Sequence, residues 1–275
     1  MKTIERNNII WKPYQGALVP DVAPHVNIEL TEDDKAYLLK ESGAYFLRYT
    51  NDWDCKKETD FWYVIKDSFN GFEGLSSNTR NQVRKALKNC IIKRISKIEM
   101  QQGAYEVYKE AFRLYDTFIV PATKEEFLSN IDDEKNEYWG GYVDDKLVIY
   151  GQNSVTNNHC EYNVVKIHPD YLKLYPSYAL FYEMNKHYLE VRKLKYVCDG
   201  ARSISHQTNI QDFLISKFKF RKAYCRLNVV YRKDIGILVK LLFPFKSILE
   251  KIKIKPIEKI VVLLRHEKIR RNCAK

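Results

Sequence analysis

Glu161-Tyr-Asn-Val-Val-Lys-Ile-His-Pro-Asp-Tyr-Leu-Lys-Leu-Tyr-Pro-Ser-Tyr178 is the stretch on which the reading of this chain turns. Residues 161–167 are rich in β-branched and aromatic side chains, the composition of a strand. His168-Pro169 ends it, since proline lacks the N–H that a sheet ladder uses. A loop without glycine follows. Pro176 then stands at the first turn of a long amphipathic helix expected over 176–193, a position helix starts prefer. Strand, loop and helix in that order predict a βα unit in a mixed sheet.

Upstream, 137–143 and 146–154 form a hairpin whose turn is Asp144-Asp145. Before it come a strand over 91–96, a helix over 104–115 with Ala104, Val107, Tyr108, Ala111 and Leu114 on one face, and a short helix over 124–131. Downstream, a strand over 195–198 is stopped by Asp199-Gly200. A helix over 208–218 and a final strand over 222–232 follow. The sum is β-α-α-β-β-β-α-β-α-β, an α/β fold in which an antiparallel hairpin feeds a later βα unit. The first 75 residues read as strand-rich, with runs at 44–50 and 61–66 around the polar stretch 51–59. The helix over 75–89 has Ser or Asn candidates for its cap and Val83, Ala86, Leu87 and Cys90 on one face. Arg80, Arg84 and Lys88 line another, either as a solvated face or as a docking surface for an acidic substrate.

The 275 residues allow one large domain or two smaller ones. Hydrophobic residues at 45% and charged residues at 29% exclude a disordered chain. The net charge of +11 is uneven, because residues 235–275 carry eleven basic and three acidic side chains. Expected boundaries therefore fall at 1–90, a strand-containing region plus basic helix; 91–234, the α/β domain; and 235–275, a basic amphipathic helical tail. Cys55, Cys90, Cys160, Cys198, Cys225 and Cys273 are dispersed, with no Cys-x-x-Cys pair, which removes support for zinc ribbons and disulfide scaffolds. No metal is expected. The first residues show no apolar signal core, and no apolar run approaches the roughly 18 residues of a spanning helix. A cytoplasmic location follows, with a peripheral place at the inner membrane face left open. The abundance of Ile, Lys, Asn and Tyr suggests an AT-rich bacterial genome.

This order of elements resembles the acyl-CoA N-acyltransferase (GNAT) fold over about residues 91 to 232. Asp144-Asp145-Lys146-Leu147-Val148 is similar to the acidic-Gly-Lys-x-Val turn of its first hairpin, with Asp145 in place of Gly. The 161–178 stretch is similar to the acyl-carrier-binding strand, loop and helix. Leu214 to Lys222 resembles the closing helix, x-Phe-Gly-Phe and strand, with Lys219 where Gly is usual. Within that superfamily the chain resembles the Fem-type peptidoglycan aminoacyltransferases. The residues that carry this are the helix at 75–89, Tyr175-Pro-Ser-Tyr-Ala-Leu180 and Tyr196-Val-Cys-Asp-Gly200.

The resemblance implies a mixed sheet flanked by helices and transfer of an acyl group from a thioester donor, acyl-CoA or an acyl carrier. The acceptor it implies is an amine of a sugar or cell-envelope precursor. The backbone of Asn163, Val164, Val165, Lys166 and Ile167 would then hold the donor arm, while Lys173, Ser177 and Tyr178 meet its phosphates. One departure is the missing glycine at 172–178; Pro176 also removes a donor from the helix start that would cradle a pyrophosphate. Fem-type enzymes take an aminoacyl group from tRNA, so tRNA is the alternative donor and partner. A GNAT-shaped binding or membrane-associated protein without catalysis is the reading from another class.

Acyl transfer to an amine needs a base and an acid. Asp199, a carboxylate before Gly at the end of an apolar strand, is the first candidate for the base; a turn-forming Asp is its bland reading. Glu161 begins the donor strand and would orient an amine, or is a solvated strand end. His168 and His206 are candidate bases or plain loop residues. Tyr224 and Tyr178 are candidate acids, or packing. Hydrolase, kinase, metalloprotease and dehydrogenase motifs do not occur. Residues 235–275 interleave Ile, Val and Leu with Lys. They pack on the domain, lie on an anionic membrane surface, or contact nucleic acid.

Overall fold

The computed structural model describes every residue except 115–119, 132, 133, 135, 205–208, 253, 274 and 275. The chain packs into two compact units. One comprises Met1–Tyr63, Ala201–Thr208 and Lys222–Lys275, and the other Val64–Gly200 and Asn209–Arg221.

The first unit begins with β1 (Ile4–Arg6), β2 (Ile9–Tyr14), β3 (Ala17–Pro20), α1 (Glu32–Ser42) and β4 (Phe46–Asn51). Helix α1 lies inside a region the sequence reads only as strand-rich. Its signal is Thr31-x-x-Asp34: the Thr31 hydroxyl accepts from Asp34 N, and the Asp34 carboxylate accepts from Thr31 N at 3.1 Å. Gly43 at φ 69° closes the helix.

The second unit follows with β5 (Trp62–Lys66), α2 (Ser77–Asn89), β6 (Ile91–Ile95), α3 (Lys97–Phe112), α4 (Lys124–Ser129), β7 (Asn136–Val143), β8 (Lys146–Val155) and β9 (His159–Ile167). Then come a 3-10 turn (Pro169–Leu174), α5 (Pro176–Asn185), a π-helical turn (Lys186–Val191), β10 (Tyr196–Ala201), α6 (Asn209–Phe218) and β11 (Arg221–Tyr224). The sheet order is β11-β5-β10-β9-β8-β7-β6. Strands β6 to β9 form an antiparallel meander, and β10 joins β9 in parallel. The hairpin turn is tight because Asp144 and Asp145 both take positive φ, 47° and 59°, as a type I′ turn requires. Asp tolerates that conformation better than most residues with a Cβ, which is how Asp145 stands in for Gly. Lys219 likewise takes φ 60°, in the left-handed region that favours Gly. Gly141 serves close approach instead: a Cβ there would come within 2.4 Å of Ile149. Helix α5 covers the sheet with Ala179, Leu180, Phe181 and Met184, all fully buried; each large one contributes about 1.5–3 kcal/mol.

The chain returns to the first unit through β12 (Arg226–Tyr231), α7 (Lys233–Leu242), a 3-10 turn (Phe243–Phe245), α8 (Lys246–Leu249) and α9 (Lys255–Cys273). Its sheet is ordered β1-β2-β3-β4-β12 and is buried on both faces. Trp11, Leu18, Leu38 and Leu47 pack on the α1 side, and Ala17, Phe46, Leu227, Val229 and Ile269 on the α9 side.

Several boundaries differ from the sequence reading. The helix expected over 176–193 is α-helical only to Asn185 and widens into the π turn. The strand expected to stop at Asp199-Gly200 runs on to Ala201, because β10 pairs with β5 on its other side. The single strand expected over 222–232 is two, broken at Cys225, with β11 in one sheet and β12 in the other. The expected ends at Tyr115 and Thr208 lie outside the described residues. All six cysteines are free thiols.

Candidate active site at a strand fork

Strand β9 has two edges with different fates. One pairs with β8 from Val155↔Cys160 to Ile149↔Ile167. The other pairs with β10 only at Tyr196↔His159, Val197↔Cys160 and Cys198↔Glu161. From Tyr162 onward that second edge has no strand partner among the described residues, so the two parallel strands open into a fork. Gly200, at φ 87°, lies in β10 on one arm of it. Asn163, Val164, Val165, Lys166 and Ile167 form the other arm. Asn163 is exposed and the remaining four are half-buried. Alternate backbone groups of such an arm point to an unpaired edge, and a linear ligand satisfies them as an added strand would.

Asp199 stands where the fork opens. It is half-buried, and among the described residues its carboxylate makes no hydrogen bond or ion pair. Burial alone pushes it up to about 7. Opposed residues of neighbouring strands share a face. Cys198 faces Glu161, so Asp199 and Tyr162 lie on the other side. The structure therefore places the carboxylates of Glu161 and Asp199 on opposite faces. Glu161 Oε1 sits 3.6 Å from His159 Nε2, a ring held by Thr156 at 2.7 Å and stacked on Tyr196.

On the Asp199 face lies a buried polar set that the sequence reading missed. The Tyr162 hydroxyl donates to Asn185 Oδ1 at 2.9 Å, and burial raises that phenol well above its ordinary value. Tyr188, in the π turn, receives Trp139 Nε1 at 2.9 Å and Asn153 Nδ2 at 3.2 Å and donates to Glu137 at 3.1 Å. Glu137 is paired with Arg192 and, at 3.6 Å, with Arg94. Asn153 Oδ1 and Asn185 Nδ2 are buried without a hydrogen-bond partner among the described residues. The signal for this set is Asn153 within an apolar strand and Asn185 at the end of an apolar helix. Neither polar residue suits such a place unless it is bonded.

The other candidates are dispersed. His168 is buried and caps the 3-10 turn: its Nδ1 accepts from Asp170 N at 3.4 Å, and its ring meets Tyr171 edge-on. Lys173 is exposed on that turn. Ser177 is half-buried in the first turn of α5. Pro176 offers no N–H, while Tyr175 N and Tyr178 N are spent on Leu172 and Tyr175 carbonyls. That leaves Ser177 as the donor of this helix start. Tyr178 is buried against Phe213, Phe218 and Tyr175. Tyr224 ends β11, beyond the point at Lys222 where the chain passes back to the first unit; its ring meets Trp62 edge-on and burial raises its phenol. His206 lies outside the described residues. On α2, Arg84 lies over Phe72 and Lys85 over Tyr175, while Arg80 donates to Ser77. Among the described residues no cluster of His, Cys, Asp and Glu is placed to hold a metal ion. A cavity of about 290 Å3 in the first unit is lined by Lys35, Tyr49, Arg226, Asn228 and Arg270, none of them a sequence candidate.

No protein-family model and no curated protein matches the chain. Solved structures do. The C-terminal domain of a putative lysylphosphatidylglycerol synthetase from Agrobacterium fabrum superposes with a TM-score of 0.58 at 11% identity, covering 87% of this chain and 86% of that one. FemX gives 0.55 at 9%, covering 87% and 89%. L-PGS from Bacillus licheniformis gives 0.55 at 9%, covering 94% and 85%. The fold is GNAT-like and Fem-like. At these identities the likeness is one of fold, and it extends over most of the chain, beyond the 91–232 stretch that carried the resemblance in sequence.

Proposed function

We propose that the chain is an N-acyltransferase acting at the β9–β10 fork, within the segment 91–234, with Asp199 as the base. The observation that supports it is a carboxylate with no hydrogen bond or ion pair among the described residues, held near 7, beside a strand edge that no described strand joins. A base with that value is ionised in a large fraction of molecules at neutral pH and still strong enough to take an ammonium proton. The freed amine attacks the acyl carbonyl, a C–N bond forms, and the donor's C–O or C–S bond breaks. The departing oxygen or sulfur leaves with a proton. Residues 163–167 hold the donor along the edge that no described strand joins. The acceptor is an amine of a sugar or cell-envelope precursor.

Of the two donors, the α5 start favours charged tRNA. Pro176 and the committed N–H groups of Tyr175 and Tyr178 leave little for a pyrophosphate, and the fold likeness to FemX and L-PGS points the same way. Arg80, Arg84 and Lys88 on α2 supply the phosphate contacts. Acyl-CoA is the second reading, favoured by Ser177 and Lys173. The test offers the purified chain charged tRNA and acetyl-CoA separately. Retention of tRNA that weakens steeply with salt, with transfer lost in Asp199→Asn, is the expected result. Micromolar coenzyme A binding abolished by Ser177→Asp, without tRNA retention, moves the donor to the thioester. A folded chain that turns over neither donor overturns the enzyme reading in favour of a non-catalytic one.

A further inference from the structure

The last 41 residues behave as two different things. Helix α9 is a packing element, burying Val261, Leu264 and Ile269, and Arg271 lies 3.9 Å over the ring of Phe243. The run α7 to α8 turns another face outward. Ile237, Leu241, Phe245 and Ile248 are 63%, 65%, 55% and 62% exposed, and they follow one another at steps of four, four and three residues. That spacing puts them on one side of a helical run. Leu238 and Ile254 extend the patch. Among the described residues, six of eighteen exposed large apolar side chains fall between 237 and 254. Scattered apolar residues need no explanation, whereas a contiguous patch rimmed by charge does.

The charge around the patch is of one sign. Asp234 is bound by Arg232 at 2.7 Å, and Glu250 by Lys246 at 2.8 Å and Arg265 at 3.1 Å. Lys233, Lys240 and Lys251 make no ion pair among the described residues. We propose that this face, Ile237 to Ile254, docks the protein on an anionic lipid surface. The apolar side chains enter the boundary between headgroups and acyl chains, and Lys233, Lys240 and Lys251 meet lipid phosphates. A second copy is disfavoured as the occupant, because a self-complementary contact of two such faces sets unpaired lysines against lysines. Among the described residues no helix is long and apolar enough to cross a membrane, so the contact is one of lying on the surface. The inference does not depend on which acyl donor is used.

The test is flotation of the full chain with vesicles of phosphatidylcholine alone and of phosphatidylcholine mixed with phosphatidylglycerol. The chain should float with the mixed vesicles and stay behind with the neutral ones. Phe245→Ser with Ile248→Ser should lower partitioning by about tenfold or more, and Lys240→Ala by about fivefold. High salt should weaken it as well. These side chains are exposed, so an unchanged melting temperature separates loss of docking from loss of fold. Equal flotation with neutral vesicles overturns the proposal, as does no flotation with either. So does a Phe245→Ser, Ile248→Ser variant that turns a dimer into a monomer while floating as before.

Discussion

Asp34 and Asp199 are both withdrawn from solvent, one in each unit, and their surroundings differ in kind. Asp34 accepts from Arg6 Nε at 2.6 Å, from Thr31 N and Oγ1, and from Asn7 at 3.2 Å. Those bonds hold its carboxyl far below the ordinary range. Asp199 has none of them, and burial drives it up to about 7. Hydrogen bonding to the charged form stabilises it, and desolvation without such bonds disfavours it. The first arrangement fixes a helix start. The second leaves a carboxylate whose ionisation works against the fold.

The sharpest way to break that contrast is Asp199→Asn. Turnover should fall about a hundredfold or more, while thermal stability at pH 8 should rise. The sign follows from linkage. The folded value near 7 lies above the ordinary 3.8, so the folded state binds more protons between them and ionisation above 7 opposes folding. The stability gain of the variant should therefore shrink toward pH 4, where the folded carboxyl is neutral and the unfolded one has begun to take up its proton; melting curves at pH 4 and 8 check it. An activity loss with a stability loss at pH 8 would make Asp199 a structural residue.

Next in size is the pH profile of the wild-type chain. kcat/KM should fall about tenfold per unit below pH 7 as Asp199 takes up its proton, and initial rates from pH 5 to 9 would show it. Asp34→Asn should do the reverse of Asp199→Asn, lowering the melting temperature and leaving the profile in place. Its carboxylate is depressed, so its contribution is present above the ordinary 3.8 and is lost as pH falls further. Smallest is Thr31→Ala, which removes one half of the capping box for about 1 kcal/mol, read by chemical denaturation. Within the first unit His266 adds a slope of the same sign as that of Asp34, in a higher pH range. It is buried and lowered to about 4, so stability present above 6.5 should be lost as pH falls toward 4.

How far all this was legible in the sequence depends on range. The hairpin at Asp144-Asp145, the β9 strand ending at His168-Pro169 and the helix opening at Pro176 are written in local chemistry, and each stands where it was expected. Helix α1 was legible too, through Thr31 and Asp34, and went unread. The break at Cys225 was not legible, because β-rich residues on both sides suit either sheet and partner strands decide. The fork is of the same class. Nothing in Glu161 to Ile167 says where pairing with β10 stops, and nothing in Asp199 says that it bonds to none of the described residues. The opposite faces of Glu161 and Asp199 follow from a register that only pairing fixes.

The strand order β3-β4-β12 has a consequence for how the chain is made. Strand β4 is synthesised early, and its antiparallel partner β12 lies some 180 positions later, as Tyr49 opposite Asn228 shows. At ribosomal speeds of about 5–20 residues per second, the edge of β4 waits on the order of ten seconds for its neighbour. All the chain of the second unit emerges in that interval. The first unit closes only when β12 and α9 arrive, so a nascent chain halted before Arg226 carries a bare, apolar strand edge of the sort that invites pairing with other chains.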